Sequence, residues 1–114
     1  IRRMTIIIAV RMEKRSLTIL EPDTVIVFDE RLRCKVFSNK DGVLTIEHIA
    51  AYTTPYLAIC DMCNCFAELE KEYGISEVKL KLNQVPMRLT AANSPNPEKL
   101  FKHWEKQWRK MKMR

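Results

Sequence analysis

Glycine is almost missing from this chain. Two glycines, Gly42 and Gly74, in 114 residues leave no material for a Gly-rich phosphate-cradling loop. With only five prolines, the same scarcity excludes collagen-like, linker-like and low-complexity readings. Long apolar runs are absent too. None exceeds the five residues of Ile6 to Val10, whereas a helical membrane span needs about 20, so no membrane span is expected. The opening Ile1-Arg2-Arg3-Met4 ahead of Ile6, Ile7 and Ile8 has the order of a secretory leader. Its apolar stretch is too short, Arg11 closes it, and no small-residue cleavage site follows. Ile1 is not an initiator residue, so further residues are expected upstream.

Histidine is limited to His48 and His103, which supplies little for a nucleophile-and-base pair. The carboxylate pairs are equally unpromising. Asp29-Glu30 falls in a turn, and Glu68 and Glu70 sit two apart on a helix, where side chains diverge. A nuclease built from scattered Asp, Glu and Lys would leave little trace in a sequence. The expectation is a protein without enzymatic activity and without a cofactor.

The four cysteines are Cys34, Cys60, Cys63 and Cys65. Three within six residues do not resemble the spaced framework of a secreted disulfide domain, which favours a reducing, intracellular compartment. Cys60-x-x-Cys63-x-Cys65 draws attention as a metal motif. On a helix, however, Cys60 and Cys63 share a face while Cys65 points about 100° away from Cys63. No second Cys-x-x-Cys supplies the remaining ligands of a tetrahedral zinc site. A redox role needs the first thiol at a helix N-terminus, and Cys60 lies more than a turn past Pro55. These cysteines are expected to be small apolar core residues, with no metal.

What is present is a single domain's worth of patterned sequence, residues 1–114. Met4, Ile6, Ile8 and Val10 alternate with their neighbours as a strand does. Leu17 to Leu20, Val25 to Phe28 and Arg31 to Ser38 continue an antiparallel meander. In the last of these, Leu32, Cys34 and Val36 face inward and Arg31, Arg33 and Lys35 face out. Asn39-Lys40-Asp41-Gly42 is a turn. Thr45 to Ala50, with Ile46, Ile49 and Ala50 on one face, reads as a short first helix. A second helix begins at Thr54, the cap, with Pro55 in its first position. It ends at Gly74 and carries Ile59, Met62, Cys63, Phe66, Leu69 and Tyr73 as its apolar stripe. Val78 to Leu82 and Met87 to Leu89 form a hairpin. Asn96 and Pro97 start a terminal helix with Leu100, Phe101, Trp104, Trp108 and Met111 on one side. The fold class is therefore α+β: an N-terminal antiparallel β-meander, central helices, a β-hairpin and a basic amphipathic C-terminal helix. The expected core is Ile6, Ile8, Val25, Val27, Leu32, Val36, Ile49, Ile59, Cys63, Phe66, Leu69, Leu80, Leu89 and Trp104.

The formal charge of +6 is unevenly distributed. Residues 45–75 hold one basic and five acidic side chains, net −4, whereas residues 76–114 hold ten and three, net +7. The order short helix, longer helix, hairpin is that of a winged helix-turn-helix. Its groove-entering helix would then present Tyr56, Asp61, Asn64, Glu68, Glu70 and Lys71, which suits neither phosphates nor base edges. The charge fits better if the acidic helices pack behind a sheet with a basic outer face.

The leading expectation is a small non-enzymatic nucleic-acid-binding or accessory protein. Its phosphate contacts would come from Lys79, Lys81, Arg88, Lys102, Lys106, Arg109, Lys110 and Lys112, on DNA or RNA. The competing expectation is a protein-interaction module, an adaptor, inhibitor or homodimer, using Trp104, Trp108 and Tyr56 as its contact residues. The terminal helix could also dock on the sheet or lie on an anionic membrane surface; docking is the ordinary fate of such a stripe.

Overall fold

The computed structural model describes residues 6–10, 13–14, 21–28, 32–51 and 53–113, with side chains described at 21–28, 32–49 and 53–113. Among the described residues, seven strands and two helices follow one another as β1 (Ile6–Val10), β2 (Glu13–Lys14), β3 (Thr24–Phe28), β4 (Leu32–Lys40), β5 (Val43–Ala51), α1 (Pro55–Tyr73), β6 (Glu77–Leu82), β7 (Val85–Thr90) and α2 (Pro97–Lys112). The strands make one sheet in the order β2-β1-β3-β4-β5-β6-β7. Every neighbouring pair is antiparallel except β5 and β6, which are parallel and joined through α1. The class is α+β, and the hairpin extends the meander's own sheet.

The β4–β5 hairpin turns on Asp41 and Gly42, both at positive φ (54° and 79°), the two-residue turn whose twist suits paired strands. Gly42 is needed for a second reason. Its carbonyl accepts the backbone N–H of Ser76 at 2.7 Å and of Glu77 at 3.2 Å, and the Ser76 hydroxyl donates to it at 3.3 Å. This contact sets β6 beside β5 with Thr45 opposite Lys79 and Glu47 opposite Lys81.

Helix α1 starts as its sequence dictates. The Thr54 hydroxyl accepts the Leu57 N–H at 3.3 Å, and Pro55 occupies the first turn. It ends where Gly74, at φ 66°, donates to the Glu70 carbonyl and Ile75 donates to that of Leu69. Helix α2 is capped by Asn96, whose side chain accepts the Lys99 N–H at 3.2 Å. The core forms between α1, α2 and one face of the sheet, from Ile26, Phe28, Leu32, Cys34, Val36, Leu44 and Ile46 through Ile59, Met62, Phe66 and Leu69 to Val78, Leu80, Leu82, Leu89 and Trp104. The Trp104 indole N–H donates to the Leu82 carbonyl at 2.9 Å, which ties α2 to the end of β6.

Several expectations are corrected. Residues 45–50 are strand, not helix. Leu44 and Ile46 are buried while Thr45 and Glu47 lie on the opposite face, a period of two that a preceding Asp-Gly turn makes into a hairpin. Among the described residues there is therefore one central helix, and the helix-turn-helix order is gone. Val25 and Val27 are half-buried on the outer face, because β3 buries Thr24, Ile26 and Phe28 instead; a one-residue change of register exchanges the faces. Ile49 is 53% exposed beside a register shift between Arg33 and Cys34. Asp61 is buried, not exposed. The side chains of Ile6 and Ile8, the expected strand at Leu17 to Leu20, and Arg31 lie outside the described residues.

Strand β7 ends the sheet, and its open edge is blunted. Asn93 spans it, its Oδ1 accepting the Thr90 N–H at 2.8 Å and its Nδ2 donating to the Arg88 carbonyl at 3.0 Å. Ser94 donates to the Thr90 carbonyl at 2.9 Å, and Pro86 has no N–H to offer.

Gly42→Ala is expected to lower stability by about 2 kcal/mol in urea denaturation, since a β-carbon costs roughly 1–2 kcal/mol in the left-handed region. It would also stand 3.0 Å from the Ser76 Oγ and 3.3 Å from the Gly74 carbonyl. Gln84 occupies positive φ (68°) in the β6–β7 turn after Asn83, so Gln84→Gly is expected to raise stability by about 0.5–1 kcal/mol in the same assay.

Candidate nucleic-acid interface

Both helices pack on one face of the sheet, and among the described residues nothing covers the other. That outer face is built from alternate residues of β4 to β7. In one row across the strands stand Lys35, Glu47, Lys81 and Pro86; in the next stand Ser38, Thr45, Lys79 and Arg88. Cross-strand neighbours lie about 5 Å apart, so each row is a continuous ribbon of side chains. Glu47 is flanked by Lys35 and Lys81. Arg88 donates to the Glu77 carboxylate at 2.8 Å, and Lys35 pairs with Asp23 at 3.2 Å.

A groove of about 1020 Å³ runs from this face around the edge of β7 to α2. Phe37, Thr45, Glu47, Lys79, Lys81 and Arg88 line it from the sheet, and Asn96, Lys99, Leu100 and His103 from the helix. Four cations, Lys79, Lys81, Arg88 and Lys99, line it with one carboxylate, Glu47, and Arg88 is paired with the Glu77 carboxylate beside it. The floor between them is apolar, from Ile46, Leu80, Pro86, Met87 and Leu100.

The eight basic residues expected from sequence are divided by the structure. Lys79, Lys81 and Arg88 come together in the groove. On α2, at about 100° per residue, Lys106 and Lys110 continue a stripe begun by Lys99 and His103, and extend the basic margin along the helix. Lys102 and Arg109 lie around the back, away from the sheet, with Arg109 3.7 Å from Glu105. Lys112 folds over the Trp108 ring, 4.2 Å from its centroid.

Reading the sequence missed Phe37, Glu47, Lys99 and His103. Phe37 was within reach, since it continues the alternation of Arg33 and Lys35. Glu47 was hidden by the helical reading of its segment. Lys99 and His103 needed the α2–β7 packing, which the helix's own pattern does not encode.

The aromatic contact residues proposed for a partner are used internally. Trp104 is 3% exposed and stacks between Phe101 and Trp108, with centroids 6.0 and 5.8 Å away. Tyr56 meets Phe101 edge-on at 5.4 Å, and a hydrogen bond with Cys60 pushes its phenol pKa up. Only the partly buried rims of Trp108 and Tyr56 are left for a partner.

Cys34, Cys63 and Cys65 are buried and Cys60 half-buried, all as free thiols. Among the described residues no three His, Cys, Asp or Glu gather as a metal site, and no helix is long and apolar enough to cross a membrane. Compared with known proteins, the chain has no significant match to a family model, a curated protein or a solved structure.

Burial pushes the Cys34 thiol far up from its ordinary 9.0. It pushes Cys63 to about 12, with a smaller contribution from Cys60. In the unfolded chain these thiols ionise near 9, so they favour the folded state below that pH, and their contribution is lost as pH rises from 9 through the folded values. Stability measured by urea denaturation is expected to fall above pH 9, less so in Cys34→Ser/Cys63→Ser if that variant folds. Alkylation of the native protein at pH 8 is expected to mark Cys60 first, with Cys34, Cys63 and Cys65 reacting only on unfolding, as read by peptide mass spectrometry.

Proposed function

We propose that this chain is a small non-enzymatic nucleic-acid-binding protein that holds the phosphate backbone on the outer face of its sheet and in the groove leading to α2. The observation that carries the reading is the convergence of Lys79, Lys81, Arg88 and Lys99 on one groove, drawn from two strands and a helix that need not have met. Lysines on a sheet face are often only solvated, and they discourage edge pairing. That explanation is weaker here for two reasons. The β7 edge is already blunted by Asn93 and Ser94, and Lys79 and Lys81 stand on β6, an interior strand.

The division of charge supports the same reading. The acidic segment forms β5 and α1, and α1 packs behind the sheet, so most of its carboxylates lie away from a polyanion on the front. Glu47 is the exception, and it stands in the row between Lys35 and Lys81. Arg88 is held by Glu77, which leaves Lys79, Lys81 and Lys99 as the principal phosphate donors and Arg88 as a positioned fourth. Such contacts fix the backbone without reading sequence.

If four phosphates are neutralised, affinity for a mixed-sequence oligonucleotide falls by about 50- to 150-fold between roughly 50 and 200 mM salt. Lys79→Ala/Lys81→Ala is expected to reduce the slope of log K against log salt by about 1.4 to 1.8, while Lys102→Ala/Arg109→Ala, on the back of α2, changes it little. Fluorescence anisotropy at stepped salt measures both. Absence of binding at about 50 mM salt, or an equal effect from the two double variants, contradicts the assignment.

A further inference from the structure

We infer that the ligand of this face is single-stranded nucleic acid, with one base stacked on Phe37 while the flanking phosphates lie on Lys79 and Lys81. The inference rests on the phosphate-binding reading above and specifies its substrate.

Phe37 is an apolar ring in a charged place. It is 49% exposed on the outer side of β4, where the pairing shifts between Val36, opposite Ile46, and Ser38, opposite Thr45. An irregularity of this kind re-aims a side chain out of the regular pleat. The ring lines the same groove as Lys79 and Lys81, and the Lys35 ammonium lies 5.7 Å from its centroid. A half-exposed phenyl group beside ammonium groups gains nothing from water on its open side. It does offer a π-face beside phosphate-binding cations, the pairing that single-strand binding uses.

The shape of the face argues against a duplex. Duplex bases are stacked within the helix and present only their edges, so an exposed ring has no partner there unless it is driven between base steps as a wedge. Neither helix is placed to reach those edges. The exposed positions of α1 include Asn64, Glu70 and Glu72, which repel or ignore phosphates, and α2 is pinned to Leu82 through Trp104. An open sheet with an aromatic side chain and basic neighbours instead accepts splayed bases on its surface.

The test compares labelled single-stranded oligo-dT and oligo-rU with a duplex of equal length and with heparin, by fluorescence anisotropy at about 50 mM salt. The expected result is tighter binding of a single strand than of the duplex. Phe37→Ala is expected to weaken single-strand binding by about tenfold or more and to leave heparin binding unchanged. Phe37→Trp should retain affinity, and the new indole should be quenched on binding. Phe37→Leu keeps the apolar volume but not the π-face, so it should behave like Phe37→Ala. Duplex binding equal to or tighter than single-strand binding, or full affinity in Phe37→Leu, overturns the inference. If heparin and duplex bind through Lys79 and Lys81 while single strands have no advantage, only this inference fails. If no polyanion binds, the phosphate-binding reading fails with it.

Discussion

The arrangement of this molecule depends on one carbonyl, that of Gly42. Three donors from the segment after α1 converge on it, and they fix β6 parallel to β5 at one register. The contribution of β6 and β7 to the outer face follows from that register. Lys79 stands opposite Thr45 and Lys81 opposite Glu47 because Glu77 is held opposite Val43. A shift of one residue would turn Lys79 and Lys81 into the core and Val78, Leu80 and Leu82 into solvent. Glycine is so rare in this chain that its use here is informative. The position demands positive φ and leaves no room for a side chain against Ser76 and Gly74.

Joining the hairpin to the meander through a helix also sorts the charge. Helix α1 crosses behind the sheet and carries Glu68, Glu70 and Glu72 with it. Strands β6 and β7 then bring lysines and an arginine to the front, and α2 returns along the β7 edge to add Lys99 and His103. The cations of β6, β7 and the start of α2 thus meet on one side of the sheet, while the carboxylates of α1 lie on the other. On the proposed reading, that arrangement would orient a polyanion on approach as well as hold it.

Much of this was legible in the sequence, and the failures have particular causes. The boundaries of α1 and α2 were written in Thr54-Pro55, Gly74 and Asn96-Pro97, because caps act locally and depend little on tertiary context. The outward residues Arg33, Lys35, Lys79, Lys81 and Arg88 were legible because alternation with charged residues admits one orientation. Residues 45–50 were misread because Ile46, Ile49 and Ala50 satisfy a helical spacing as well as a strand does; the Asp41-Gly42 turn, which commits the chain to a hairpin, decides the matter. Residues 25–28 are apolar throughout, so nothing in Val25-Ile26-Val27-Phe28 says which pair faces the core. Of the site, Lys79, Lys81 and Arg88 were readable as a group, whereas Lys99 joins them through the packing of α2 on β7 and the Trp104–Leu82 hydrogen bond, between residues 22 apart in the chain.

The central claim, that the outer sheet face and its groove hold a polyanion, is tested most directly by mapping the contact on the folded protein. A titration of ¹⁵N-labelled protein with a short oligonucleotide, followed by amide chemical shifts, reports every segment at once. Shifts concentrated at residues 35–37, 45–47, 79–81, 86–88 and 99–103 are the predicted result. Shifts confined to α1 or to the last turn of α2, or none at all, would contradict it.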